Sequence, residues 1–146
     1  NLYESDSNSG DHRIYDSGEK RKQIRIQALK IDDLISEMEQ PLKLIKMDIQ
    51  GAEYYALNGM ISLINKSEDL LLSAEFWPYG LKMSGVVPES FIALLFKLGF
   101  TVYEFGGSEM VKINSASQLT EKYRIEEPSS YTNLICKKGR QNICVR

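Results

Sequence analysis

One stretch, residues 42–60 (LKLIKMDIQGAEYYALNGM), restricts the fold more than any other part of the chain. Its first half is a nearly unbroken apolar run: Leu42, Leu44, Ile45, Met47 and Ile49. Such a run, over residues 42–49, predicts a strand buried on both faces, as in a parallel sheet. One acid, Asp48, stands near its end, and Gly51, Ala52 and a second acid, Glu53, follow. Apolar residues then recur at spacings of three and four (Tyr54, Leu57, Ile61, Ile64), which predicts a helix from about residue 52 towards 65. Asn58-Gly59 is placed to break or kink it. A strand, a tight turn and a helix with carboxylates at the join is a ligand-facing arrangement. In open α/β sheets ligands sit beyond the carboxyl ends of the strands.

The rest of the chain continues the alternation. Residues 1–23 are polar and rich in Ser, Asp and Gly, with Leu2-Tyr3 and Arg13-Ile14-Tyr15 as short strands of a hairpin. Lys20-Arg21-Lys22 reads as a solvated basic loop. IRIQAL (24–29) alternates as a half-buried strand. Asp32 is placed to cap a short helix with Leu34, Ile35 and Met38 on one face, which Pro41 ends. LLLSAEF (70–76) is a second buried strand, followed by Trp77-Pro78 and a loop over 79–87 containing Gly80 and Gly85. Pro88 opens a helix with an apolar stripe of Phe91, Leu94, Leu95 and Leu98, and Gly99 is placed to end it. A strand follows over 100–105, then a turn at Gly106-Gly107, a short strand over 110–113 and a short helix over 116–123. A last strand spans 131–137, and a tail runs from Gly139. The order predicts an α/β domain, 1–146, with a mostly parallel sheet covered by helices. The last two strands have no long helix between them and can pair antiparallel.

The two strand-end acids carry the chemistry. A carboxylate at the end of a buried strand is costly unless it meets solvent, a donor or a ligand. For Asp48 the competing structural role is capping the following helix. Glu53 lies in the first helical turn, where the helix dipole favours an acid whatever else it does. Glu75 repeats the device one strand on. Adjacent parallel strands lie about 5 Å apart, so Asp48 and Glu75 can converge on one ligand. They can bind or deprotonate a substrate hydroxyl, or hold a divalent metal, although no third metal ligand is evident. His12, the single histidine, sits in the polar turn NSGDHR, as either an exposed loop residue or a general base near neutral pH. Trp77 and Tyr79 either wall a substrate pocket or pack in the core.

Composition removes several classes. A net charge of -2 gives no electrostatic case for nucleic acid. No apolar run is long enough to span a bilayer, and no signal-peptide pattern opens the sequence. Cys136 and Cys144 have no CxxC partner and no neighbouring histidine, so they are expected as thiols of a reducing, cytoplasmic compartment, with a disulfide as the alternative. GxGxxG, P-loop, GxSxG and HExxH patterns are missing. The sequence begins at Asn1 rather than Met, from which a fragment of a longer polypeptide is expected.

Residues 45–60 resemble the KxDxxGxExxxLxG signature of the FkbM-type methyltransferases, with Lys46, Asp48, Gly51, Glu53, Leu57 and Gly59 at the matching positions. Asn8-Ser9-Gly10 is similar to the family's Asn-Ser-Gly turn. Residues 28–35 resemble its (V/T)xxLDDL segment, with Ile31 where Leu is usual. Ala74-Glu75-Phe76 and the Pro88 to Phe105 segment also fit. The resemblance implies a Rossmann-like methyltransferase fold of sheet order 3-2-1-4-5-7-6, present here as strands four to seven plus the hairpin and a linker strand. It implies S-adenosylmethionine as cofactor, with Asp48, Gly51 and Glu53 as cofactor-binding residues. The reaction implied is methylation of a hydroxyl on a sugar or secondary metabolite, with Asp48, Glu75 and His12 as candidate catalytic groups and Trp77 and Tyr79 as the substrate wall. The family's glycine-rich cofactor loop has no counterpart in these residues. The chain alone is therefore expected to bind S-adenosylhomocysteine poorly, and strand four to present an exposed edge that invites self-association. A half-domain that acts as a binding or pairing module is the alternative function.

Overall fold

The computed structural model describes residues 1–35, 40–106 and 109–140. The centre is a five-stranded mixed sheet. Its strands are β3 (Leu44–Met47), β4 (Leu70–Phe76), β5 (Thr101–Phe105), β6 (Met110–Ile113) and β7 (Thr132–Lys138), in the order β3-β4-β7-β5-β6. β3 and β4 are parallel, while β7 runs antiparallel between β4 and β5. Strands β3, β4, β7 and β5 thus stand in the order expected of strands four, five, seven and six, and the sheet is compatible with a Rossmann-like fold. A separate two-stranded ribbon pairs β1 (Leu2–Glu4) with β2 (Lys22–Ile24).

β4 alternates buried and half-buried residues and is covered on both sides by neighbouring strands. Leu70, Leu72, Ala74 and Phe76 point into the core. There they meet α5 (Pro88–Lys97) through Phe91, Ile92 and Leu95. The Phe76 and Phe91 rings stack 6.5 Å apart. Burying side chains of this size stabilises the fold by roughly 1.5–3 kcal/mol each relative to exposure.

The predicted long helix is two. α2 (Glu53–Asn58) stops at Gly59, and α3 (Ile61–Lys66) restarts after Met60. Asp32 explains how the second one begins. It does not cap its own helix, α1 (Ile31–Leu34), whose N-cap is Lys30. Its carboxylate accepts the backbone N–H groups of Ser62 (2.9 Å) and Leu63 (3.0 Å), so it caps α3 from outside. Burial opposes the charge, but the two amides outweigh it and hold the Asp32 carboxyl below the usual range. A depressed carboxyl contributes stability that is present above its unfolded value and lost as pH falls through the folded one. Asp32→Ala is therefore expected to cost about 1 kcal/mol at pH 7, read as a lower Tm by differential scanning calorimetry. The gap from wild type should narrow as the pH falls below the usual carboxylate range; a gap that is the same at every pH would assign the loss to something other than the charged cap.

Several expectations fail, the mostly parallel sheet among them: of the described strand pairs only β3–β4 is parallel. IRIQAL is not a strand: β2 ends at Ile24, opposite Leu2, where its partner runs out, and Ile26 and Leu29 are exposed. The hairpin partner of Tyr3 at Arg13 shrinks to a single bridge, Tyr3 N–H to Arg13 O at 2.8 Å and the reverse at 3.1 Å. The β3 run is not buried on both faces. Among the described residues it is a sheet edge bonded only to β4, and Leu44 is 62% exposed. The expected loop over 79–87 contains a helix, α4 (Pro78–Met83), with Pro78 in its first turn. Gly85 closes it at φ +88°, where Val86 N–H reaches back to Leu81 O. The helix expected over 116–123 is shortened to α6 (Ser117–Thr120). Met38, Gly107, Cys144 and the tail from residue 141 lie outside the described residues; Cys136 is a buried free thiol. Among the described residues no helix is long and apolar enough to cross a membrane.

Candidate active site

The register of β3 and β4 sets the site. Met47 lies opposite Ala74, so Asp48, the residue just past β3, and Glu75, the penultimate residue of β4, come to the same rim of the sheet. The chain then reverses at once: Gln50 and Gly51 both take positive φ, +55° and +92°. For glutamine that backbone is uncommon; for glycine it is easy. Gly51 has a second reason to be glycine. A Cβ there would stand 2.4 Å from the Gly80 carbonyl oxygen of α4. The hydroxyl of Ser84 lies 2.8 Å from the Gly51 and Leu81 carbonyl oxygens, and the Tyr55 hydroxyl donates to Ser84 O at 2.8 Å. The acid-bearing turn is thereby clamped to the helix that follows β4.

Glu53 is fully buried at the start of α2. Its Oε1 accepts the Ile49 N–H at 3.0 Å, tying the helix to the strand end. Its buried Oε2 has no hydrogen-bond partner among the described residues. Burial pushes the carboxyl up, opposed by nearby backbone N–H groups and reinforced by Asp48. Asp48 is half exposed, 3.5 Å from Lys46 Nζ and 3.3 Å from Gln50 Nε2. Glu75 is pushed up to about 7, first by burial, then by the Asp48 and Glu53 charges, with Lys46 pulling the other way. Three carboxyls thus act on one another at one strand rim. Among the described residues no three acids, histidines or cysteines are grouped to hold a metal ion.

Glu75 opens onto a cleft of about 290 Å³ that it shares with Arg13, Gln50, Trp77, Pro128 and Tyr131. Trp77 is buried, with its indole N–H donating to Pro128 O at 2.8 Å and its ring 5.6 Å from that of Tyr79. Gly80 makes room for the indole, since a Cβ there would stand 2.0 Å from the ring. A larger groove of about 430 Å³ runs between α2, α3 and α5, past Tyr54, Asn58, Ser90 and Lys97, with no carboxylate or imidazole among the described residues that line it.

The structure therefore brings Asp48, Gly51, Glu53, Glu75 and Trp77 together. Tyr79 stands behind Trp77 rather than on the cleft wall. His12 is turned to its own ribbon, where its Nδ1 accepts the Ser5 N–H at 3.1 Å, and it does not line the cleft. Arg13, Gln50 and Tyr131 do line it, and sequence reasoning passed over all three.

A sequence-family model described as the methyltransferase FkbM domain matches residues 1–100 of the chain. No curated protein and no solved structure gives a match.

Proposed function

The chain belongs to the methyltransferase FkbM domain family, and from that premise we propose that its strand-end carboxyls form the acceptor side of an S-adenosylmethionine-dependent O-methyltransferase site, in a Rossmann-like methyltransferase fold. The observation that carries the reading is Glu75, a half-buried carboxyl on a cleft wall with its proton affinity raised to about 7. A base is most effective when its pKa lies near the working pH.

The donor set suits a cationic cofactor. Asp48, Glu53 and Glu75 put three carboxyls on one rim, and the buried Oε2 of Glu53 lacks a partner. Asp48 and Glu53 would hold the cofactor's positively charged or hydroxyl-bearing parts, on the turn that Gly51 shapes. S-adenosylmethionine, when bound, supplies a methyl group on positively charged sulfur, which a hydroxyl oxygen takes while sulfur keeps the electron pair of the broken bond. Glu75 receives the hydroxyl proton. Trp77 and Tyr131 wall the acceptor, with the Trp77 ring packed under Arg13. His12, whose Nδ1 is already engaged, takes no part.

One observation favours a second reading. The β3 edge exposes Leu44, so the chain can act as a pairing module through that edge. Transfer of label from methyl-tritiated S-adenosylmethionine to a panel of alcohols and sugars, by the natural polypeptide that carries these residues, separates the two. Label in an ether product is the expected result. No transfer to any hydroxyl, together with concentration-dependent self-association by sedimentation, would overturn the enzymatic reading in favour of the pairing one.

A further inference from the structure

Among the described residues, Arg13 is the one full positive charge on the cleft wall, and it is held by an ion cluster. Its Nε and Nη2 bind the two oxygens of Asp11, at 2.8 and 3.1 Å. Asp11 is shared: Arg21 Nη2 reaches the same Oδ2 at 2.6 Å, and Arg21 Nη1 donates to the Asp11 carbonyl. Two guanidinium groups outweigh the burial of Asp11 and hold its carboxyl below the usual range. One carboxylate is divided between two cations, so the charge balance of the cluster depends on Glu19 as well. Glu19 pairs with Arg21, but in an exposed position where water screens it.

The Arg13 side chain is only 12% exposed. Its Cζ lies 5.3 Å from the Trp77 ring centroid and 5.8 Å from that of Tyr15, so the guanidinium is fixed between two aromatic faces. Nη1, with two N–H donors, has no hydrogen-bond partner among the described residues. The cleft also offers Glu75, yet no ion pair joins it to Arg13, and the charges that act on Glu75 are Asp48, Glu53 and Lys46. A carboxyl and a fixed guanidinium thus share one cleft without satisfying each other. A ligand with a hydroxyl for the first and an anionic group for the second fits both.

We propose that Arg13 is the specificity-determining residue of this cleft, and that it selects a methyl acceptor bearing a carboxylate as well as the hydroxyl. The substrate class rests on the methyltransferase reading; the anion selectivity of the cleft does not. A carboxylate suits the site better than a dianionic phosphate, because Asp48, Glu53 and Glu75 repel a second negative charge. The volume, about 290 Å³, accommodates a single sugar-sized ring. Planar N–H donors held by rings and by Asp11 meet a carboxylate without losing side-chain freedom on binding.

Trp77 is the single tryptophan, and it lies in the cleft against Arg13, so its fluorescence reports occupancy. Titration of the 146-residue chain with glucuronate and with glucose, which share the ring and differ in the carboxylate, tests the proposal without any methyl donor. Glucuronate should saturate the signal at a concentration at least about tenfold below glucose, the size of one charged hydrogen bond. Arg13→Gln should abolish the difference by weakening glucuronate alone, while Arg13→Lys should keep part of it as a point charge. Arg21→Lys, which perturbs the same ion cluster outside the cleft, should leave the preference in place. Equal response to the two sugars, no response to either, or a preference that survives in folded Arg13→Gln overturns the proposal. If the preference holds and no methyl transfer is found, the methyltransferase reading falls and the anion selectivity stands.

Discussion

Gly51→Ala is expected to remove on the order of 3–5 kcal/mol of folding stability, from two additive causes. The first is backbone conformation: at φ +92° a Cβ is strained whatever surrounds it. The second is space: the new Cβ would meet the Gly80 carbonyl carbon and oxygen at 2.4–2.5 Å, backbone against backbone. No side chain can rotate away to relieve that contact, so α4 must retreat from the turn. Retreat breaks the Ser84 hydroxyl contact to Gly51 O and moves Trp77, which packs on Gly80. A domain of this size has a net stability of about 5–15 kcal/mol, so the loss consumes a large share of it. Gly59→Ala is the matched control. Gly59 has an ordinary backbone (φ −80°) and its Cβ would meet nothing closer than 3.4 Å, so a change within about 0.5 kcal/mol is expected. Urea unfolding measures both. A Gly51→Ala variant as stable as Gly59→Ala would show that the turn and α4 are not in contact as described.

The elements that were legible in the sequence are those whose limits are set by local chemistry. β4 was read to its ends because LLLSAEF is apolar throughout and stops at Trp77-Pro78. α5 was read because proline opens it and a left-handed glycine, Gly99, closes it. The break between α2 and α3 was read from Asn58-Gly59. What failed depended on distant partners. Hydrophobicity in residues 42–49 records a capacity for burial, not the number of neighbours, so the exposed edge at Leu44 was invisible in the pattern itself. Gly80 and Gly85 suggested a loop, whereas one makes room for an indole and the other ends a helix. The site divided in the same way. Acids at or just after the ends of apolar strands are conspicuous, because burial makes them costly, and Asp48, Glu53 and Glu75 stand out as candidates on that ground. Arg13 and Gln50 are ordinary polar residues in polar segments; only the fold reveals that a ribbon residue reaches the rim of the central sheet. His12 drew notice as the single histidine, and its neighbour Arg13 holds the position facing the cleft.

Replacing Glu75 by Gln is expected to lower methyl transfer by about 10²–10⁴-fold, the usual contribution of a positioned base. Size alone does not identify the role, since a merely structural glutamate could be as sensitive; the pH profile does. With its carboxyl at about 7, Glu75 is half ionised near neutrality. The ionised form is the base, so kcat/KM should rise with pH below 7 and level off above it. In Glu75→Gln that limb should vanish from the residual activity. Asp48→Asn removes one of the charges that raise Glu75, and should move the limb to lower pH without erasing it. Folding stability gives an independent reading with the opposite sign. A carboxyl whose folded pKa is raised binds its proton more tightly when folded. The stability it contributes is complete below about 4.3, its unfolded value, and is lost as pH rises through 7. Wild type should therefore lose stability relative to Glu75→Gln between pH 4 and 8. Glu75 is half exposed and screened by water, so the difference should be modest, on the order of 1 kcal/mol at pH 8, or about 3 °C in Tm. If the kinetic limb persists in Glu75→Gln and the two stability curves stay parallel across this range, the proton is held by another group and Glu75 is not the base.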